Sequence, residues 1–149
     1  MKRKNFQLTQ HISYYDVTSS DWADRYNRDN TPDSLQTAAL ENLSRVLLEP
    51  LWNHCGPLNI KGAFYSSQVA AALREPGGSL HQTGEAVDLW FNDLETARDY
   101  YCFILRHVNF DQMFYEYRRN GDIWLHVSVR LDSRENRHQA FPNYVKHEV

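Results

Sequence analysis

Residues 111–131 read DQMFYEYRRNGDIWLHVSVRL, and this stretch decides the fold. Asn120-Gly121 is a strong hairpin signal, flanked on both sides by alternating apolar and polar residues. Asp111 to Tyr117 and Asp122 to Leu131 therefore read as paired antiparallel strands. In the second strand Ile123, Leu125, Val127 and Val129 share one face, while Trp124, His126, Ser128 and Arg130 share the other. His126 thus points away from the most apolar face. Two loop lengths are open. A two-residue loop pairs Arg119 with Asp122 and sets Glu116 opposite Leu125, on the face His126 does not use. A three-residue loop with Gly121 as a left-handed bulge pairs Arg118 with Asp122. Glu116 then lies opposite Trp124 and diagonal to His126, on the same face.

Moving outward, Glu85 to Phe91 reads as a strand bounded by Gly84 and Asn92. Asn92 and Glu95 have capping-box spacing. They open a helix with the stripe Leu94, Ala97, Tyr101, Ile104/Leu105 and Val108. Leu58 to Tyr65 reads as a strand, Ser67 to Leu73 as a short helix and Glu75 to Gly78 as a loop. Thr31-Pro32 reads as a helix start, with Thr31 capping and Pro32 first in the helix. Leu35, Ala39, Leu43 and Val46/Leu47 continue it, and Pro50 ends or kinks it. Residues 132–149 are polar and read as a surface tail or a short closing helix. Helices first and strands mixed with helices later indicate a single α+β domain over 1–149, an antiparallel sheet with helices packed on it.

The chain has 149 residues, 42% of them apolar and 23% charged. That is an ordinary globular composition and excludes a mainly disordered chain. No window approaches the roughly 20 apolar residues of a membrane span. Lys and Arg number 16 against 19 Asp and Glu, a formal charge of −3, so a nucleic-acid partner is not expected. Cys55 and Cys102 form no metal-binding pair and no disulfide framework, and read as buried thiols. The basic Met1–Lys4 start is followed by residues too polar for a signal peptide. The expected setting is a cytoplasm, with release by lysis or carriage in a virus particle as the routes out, and a monomer or a particle component as the state.

Three residues stand out chemically. His81 lies in the Gly-rich loop Gly77 to Gly84. Asp88 interrupts the apolar run Ala86-Val87-Asp88-Leu89-Trp90, and a buried carboxylate must be paired or bound to something. With His126 they make two imidazoles and one carboxylate, the three-ligand set of a catalytic zinc that keeps its fourth position open. A His–Asp hydrogen bond is the competing reading. Glu116 is the candidate base. Tyr115, Tyr117 and Trp124 are candidate cleft walls, although aromatics also suit strands for packing alone.

Ser79-x-His81-x-x-Gly84-x-Ala86-x-Asp88 resembles the SxHxxGxAxD signature of the zinc D-Ala-D-Ala carboxypeptidase and murein peptidase family, whose fold is related to the hedgehog signalling domain. Trp124-x-His126-Val127-Ser128 resembles its second metal segment. Ser20-Asp21-x-Ala23, Asn30-Thr31-Pro32, Val46 to Leu51, Phe110-Asp111-Gln112 and Asn136-Arg137 are similar to its phage and bacterial branch, so the resemblance spans about residues 6–141. It implies a hedgehog/DD-peptidase-like fold and Zn2+ held by His81, Asp88 and His126. It further implies Glu116 as general base, Ser79 supporting the ligand loop or the substrate, and peptidoglycan stem peptides or D-alanyl peptides as substrate. One departure matters. The family has a Gly-Tyr-Arg-Ser stretch whose Arg stabilises charge at the scissile carbonyl. Here Ala63-Phe64-Tyr65-Ser66 puts Tyr65 in that place, as a neutral substrate-binding donor. Arg74 and Arg130 are the candidate replacements, and a metal-held peptide- or protein-binding module is the alternative function.

Overall fold

The computed structural model describes residues 4–118 and 120–147, with the side chains at 118 and 143–147 outside the described set; Met1–Arg3, Arg119 and Glu148–Val149, the last two part of the expected 132–149 tail, therefore lie outside it. Among the described residues six α-helices, α1 (Tyr14–Thr18), α2 (Asp21–Arg25), α3 (Ser34–Leu43), α4 (Glu49–Cys55), α5 (Ser67–Ala72) and α6 (Leu94–His107), accompany five strands. The strands are β1 (Ile60–Gly62), β2 (Ala86–Phe91), β3 (Gln112–Arg118), β4 (Ile123–Ser128) and β5 (Gln139–His147). They form one sheet in the order β1-β2-β4-β3-β5.

The caps decide where helices begin. Asp33, not Thr31, caps α3: its carboxylate accepts from the Gln36 N–H, and the Asp33 N–H donates to the Gln36 side chain. This reciprocal pair satisfies two groups where a lone threonine satisfies one. Leu35, expected on the core stripe, is 69% exposed, while Ala39, Leu40 and Leu43 face inward. Asp93 caps α6, one residue after the expected Asn92. Pro50 does not end its helix. A π-helical turn over Ser44–Leu48 precedes it, and Pro50 then sits in the first turn of α4, where its missing N–H costs little.

The sheet is mixed, not antiparallel throughout as the sequence suggested. β1, β2, β4 and β3 pair antiparallel, but β5 runs parallel to β3. The expected tail or closing helix over 132–149 is instead a short 3-10 turn, Ser133–Glu135, followed by this edge strand. Asp111 and Arg137 set its direction. The Arg137 fork donates to both Asp111 oxygens at 2.8 and 2.9 Å, and the N–H groups of His138 and Gln139 bond the carbonyls of Phe110 and Asp111. Gln139 is thereby laid beside Gln112, and β5 then follows β3. The register shifts between Phe114 and Tyr115, skipping Pro142 and Asn143, and proline is a residue that sheets accept at edges and bulges.

One sheet face carries Val87, Leu89, Phe91, Met113, Tyr115, Ile123, Leu125 and Val127. It packs on Leu40, Leu43, Leu47, Leu48 and Leu51 of the α3–α4 layer and on Ile104 of α6. Each fully buried aliphatic side chain here contributes about 1.5–3 kcal/mol. Tyr115 and Tyr117 belong to this core face, so they do not wall a cleft beside His126. Cys55 and Cys102 are both free. Cys102 is exposed on α6, correcting its reading as a buried thiol. Among the described residues no helix is long and apolar enough to cross a membrane.

Candidate metal centre

The other sheet face carries the chemistry. In β2 and β4, Asp88 pairs with His126 and Trp90 with Trp124. In β3 and β4, Phe114 pairs with His126 and Glu116 with Trp124. This is the register of the three-residue loop, and Gly121 has the positive φ (94°) that such a bulge requires. Glu116 therefore shares a face with His126.

His81 arrives from outside the sheet. Ser79 caps the 3-10 turn Leu80–Thr83, its hydroxyl accepting from the His81 N–H at 3.3 Å. Gly84 ends the turn with φ 79°; a Cβ there would lie 2.6 Å from the Gln36 carbonyl, so the loop can press against α3 only with glycine. β1 is shorter than the expected Leu58–Tyr65 strand because the chain beyond Gly62 bonds this loop instead. Tyr65 N–H donates to the His81 carbonyl at 3.1 Å, and His81 Nδ1 donates to the Ala63 carbonyl at 2.6 Å. That second bond fixes the tautomer and turns Nε2 toward Asp88.

His81 Nε2 lies 3.2 Å from Asp88 Oδ2, and His126 Nδ1 lies 2.8 Å from Asp88 Oδ1. The donor atoms of His81, Asp88 and His126 all fall within 4.8 Å of one another, a set that could hold a metal ion. Bonds of about 2.0–2.2 Å to a tetrahedral ion separate neighbouring donors by roughly 3.3–3.6 Å. The 3.2 Å His81–Asp88 spacing matches that, the 2.8 Å His126–Asp88 spacing is a little shorter, and the whole set stays within 4.8 Å, so small side-chain shifts suffice to hold such an ion. The His–Asp hydrogen bonds expected by the competing reading are present as well; the same atoms serve both.

Electrostatics reinforce the cluster. Burial disfavours the His81 imidazolium, yet the Asp88 charge and hydrogen bond, with the Ala63 carbonyl, outweigh it and push the pKa up to about 9. Burial likewise favours a neutral Asp88, but the two histidines outweigh it and hold the carboxyl well below the usual range. Asp88 is therefore a buried anion at neutral pH, its charge met by the two histidines. Phe114 stacks on the His126 ring, with centroids 4.6 Å apart. The sequence reading missed this residue; its signal was the same alternation that selected Glu116.

Glu116 Oε1 lies 4.0 Å from His126 Nδ1, beside the donor set, and its side chain is 13% exposed. Tyr65 lies behind the His81 loop. It is 4% exposed, stacks on His81 at 4.7 Å, and lies against Gly62. Burial, then the charges of Asp88, Glu75 and Glu116, push its phenol pKa far up, so it stays protonated. Arg130 binds Glu85 and Glu135, and Arg74 lies exposed just after α5. Beyond Trp124 the same face opens into a cleft of about 640 Å³ that includes Trp52, Trp90, Lys61 and Asp21 in its walls.

The fold and site define a mixed α+β domain with a two-histidine, one-aspartate donor set on one sheet face and a glutamate beside it. In comparison with known proteins, no family model matches the chain and no curated protein matches it.

Proposed function

We propose that this protein is a zinc peptidase of bacterial cell walls, phage or bacterial in setting, hydrolysing peptidoglycan stem peptides or D-alanyl peptides. The observation that carries the reading is the register that brings Glu116 to the face of His81, Asp88 and His126. Imidazole and carboxylate donors suit zinc, and three of them leave a coordination position for reactants. Zinc held there supplies Lewis acidity, polarising a carbonyl and acidifying water. Glu116 takes up the proton from the attacking water and returns it to the leaving amine. Phe114 and Tyr65 hold the two imidazole rings, and Ser79 and the Ala63 carbonyl hold the His81 loop. Trp124 floors the substrate side.

The test is mass spectrometry of peptidoglycan and of free stem peptides after digestion with zinc-loaded protein, with Glu116→Ala as control. New peptide products absent from the control are expected, with zinc still bound to the variant. Equal activity in Glu116→Ala sinks the mechanism. A second reading, a metal-held peptide- or protein-binding module, is favoured by one observation: Tyr65 is turned to His81, leaving no charged donor at that position. Zinc-loaded protein that yields no products but binds stem peptides would establish it.

A further inference from the structure

The cross-strand row that holds Glu116 continues past the metal centre as a pavement of indole rings. Glu116 on β3 pairs with Trp124 on β4, and Trp124 pairs with Trp90 on β2. At ordinary strand spacing Trp90 lies about 10 Å across the sheet from Glu116. The Trp90 N–H donates to the Asn59 carbonyl at 2.9 Å, which ties the end of the row to the segment before β1. Trp52 of α4 lines the same cleft. Its ring stacks on His11, with centroids 4.8 Å and planes 12° apart. His11 Nδ1 and the His11 backbone N–H both donate to the Glu49 carboxylate, each at 2.7 Å. Glu49 and Trp52 thus fix the imidazole in the cleft wall, with Nε2 as its remaining polar atom.

The polar groups around these rings are mostly acceptors. Asp16, Asp21 and Asp122 line the cleft. Asp16 Oδ2 accepts from the Ser13 N–H at 2.8 Å, and Asp122 Oδ2 accepts from the Asn120 side-chain amide at 3.0 Å. These local bonds orient two carboxylates by one oxygen each and leave the other oxygen to accept. The Asn59 amide can both donate and accept. The Lys61 ammonium lies over Trp124, 3.9 Å from the ring centre, so a cation is already seated among the carboxylates. Three carboxylates oppose an anionic ligand, and a second cation would meet Lys61. A neutral ligand rich in hydroxyl donors suits the lining best. Sugar rings have this chemistry: their C–H faces stack on the negative face of an indole, and their rim hydroxyls donate to carboxylates in strong, charge-assisted bonds. A cleft of about 640 Å³ is of ordinary size for a small-ligand site.

We infer that this cleft is a saccharide-binding site, with Trp52 and Trp90 as stacking platforms and Asp16, Asp21 and Asp122 as hydroxyl acceptors, so that a stem peptide is taken while still attached to its amino sugar. The inference rests on the peptidase reading for the source of the sugar and deepens it. The cleft residues act on binding and take no part in the proton transfers at Glu116.

The experiment measures kcat/KM for zinc-loaded wild type, Trp90→Ala, Trp52→Ala and Asp21→Asn on one stem peptide in two forms, free and linked to its disaccharide. The ratio between the two forms is read, because a general loss of fold or metal cancels in it. Calorimetric binding of the peptide-free disaccharide to Glu116→Gln, with and without each cleft substitution, runs alongside. Wild type should favour the sugar-linked form, mostly through KM. Each tryptophan variant should lose about 10-fold of that preference, and Asp21→Asn a smaller part of it. Asp21 is exposed, so its variant keeps the test alive should a tryptophan variant fail to fold. Equal kcat/KM on both forms with no disaccharide binding overturns the inference and leaves the peptidase reading standing. A preference that no cleft substitution lowers also overturns it. So does a cleft-dependent preference for the free peptide that is lost when its amine is acetylated, which would place an ammonium in the cleft instead. Absence of turnover with disaccharide binding that the substitutions weaken overturns the peptidase reading and supports the inference. Absence of both turnover and disaccharide binding overturns both.

Discussion

Replacing Gly62 with alanine tests how the metal centre is held from behind. A Cβ at position 62 would lie 2.0 Å from the Tyr65 hydroxyl oxygen and 2.7 Å from Cζ, where ordinary contacts start at 3.4 Å. The Tyr65 ring must therefore retreat by about 1.4 Å. It has nowhere open to go, being 4% exposed, packed with Ala23, Val69 and Ala70, and stacked on His81 at 4.7 Å. Overpacking of this kind costs about 1–3 kcal/mol. For a domain of this size that lowers Tm by roughly 3–10 °C. The displaced ring also tilts His81, and disturbing a ligand's support typically costs 10–100-fold in metal affinity. The assays are thermal melts of metal-free protein and zinc titration against a competing chelator. Gly77→Ala, whose Cβ would meet nothing within 4 Å, is the control and should change neither. Adding Tyr65→Leu to Gly62→Ala should recover part of the loss, because the two sites are in contact and couple. Wild-type Tm and zinc affinity in Gly62→Ala, or strictly additive losses in the double variant, would refute the reasoning.

Two further outcomes follow from the electrostatics. Asp88→Asn removes the largest influence that opposes burial at His81, so the His81 pKa should fall well below about 9, read by NMR titration of metal-free protein. Zinc affinity should fall by more than the roughly 100-fold that loss of a supporting hydrogen bond costs. Asp111 has its pKa lowered, chiefly by the Arg137 hydrogen bonds and against its burial. A carboxylate with a depressed folded pKa adds stability that is present above its unfolded value and lost as pH falls through the folded one. Urea melts should therefore show Arg137→Ala destabilising at pH 7 and less so at pH 3, and Asp111→Asn flattening the acid limb; a pH-independent effect of Arg137→Ala would contradict this.

Much of the site was readable because it lies on regular strands. Alternation alone put His126 away from the core face and Asp88 in conflict with its apolar neighbours. It also reduced the Glu116 question to one residue of loop length, and the pairing Glu116 with Trp124 answers it. Helix starts were less legible. Asp33 and Asp93 displaced Thr31 and Asn92 because a cap is chosen by which side chain reaches a free N–H, within one or two residues of several suitable candidates. The packing of Tyr65 was hidden for a different reason. Its position in the chain lies near the ligand loop, but a neutral ring can be buried where a guanidinium would hold to solvent or a partner, and it turned inward onto His81.

By itself, then, the sequence determined the α+β class, the hairpin, and the face of the second hairpin strand that His126 occupies, because period-two alternation and turn chemistry are local properties. The tertiary structure alone decided that β5 runs parallel to β3, since that follows from an Asp111–Arg137 contact across 26 residues and a polar edge strand held by backbone bonds. It alone decided that Gly62 leaves room for Tyr65, and that Lys61 reaches Trp124 across an intervening strand. Such contacts join residues that no local pattern connects, and they exist only once the chain has packed.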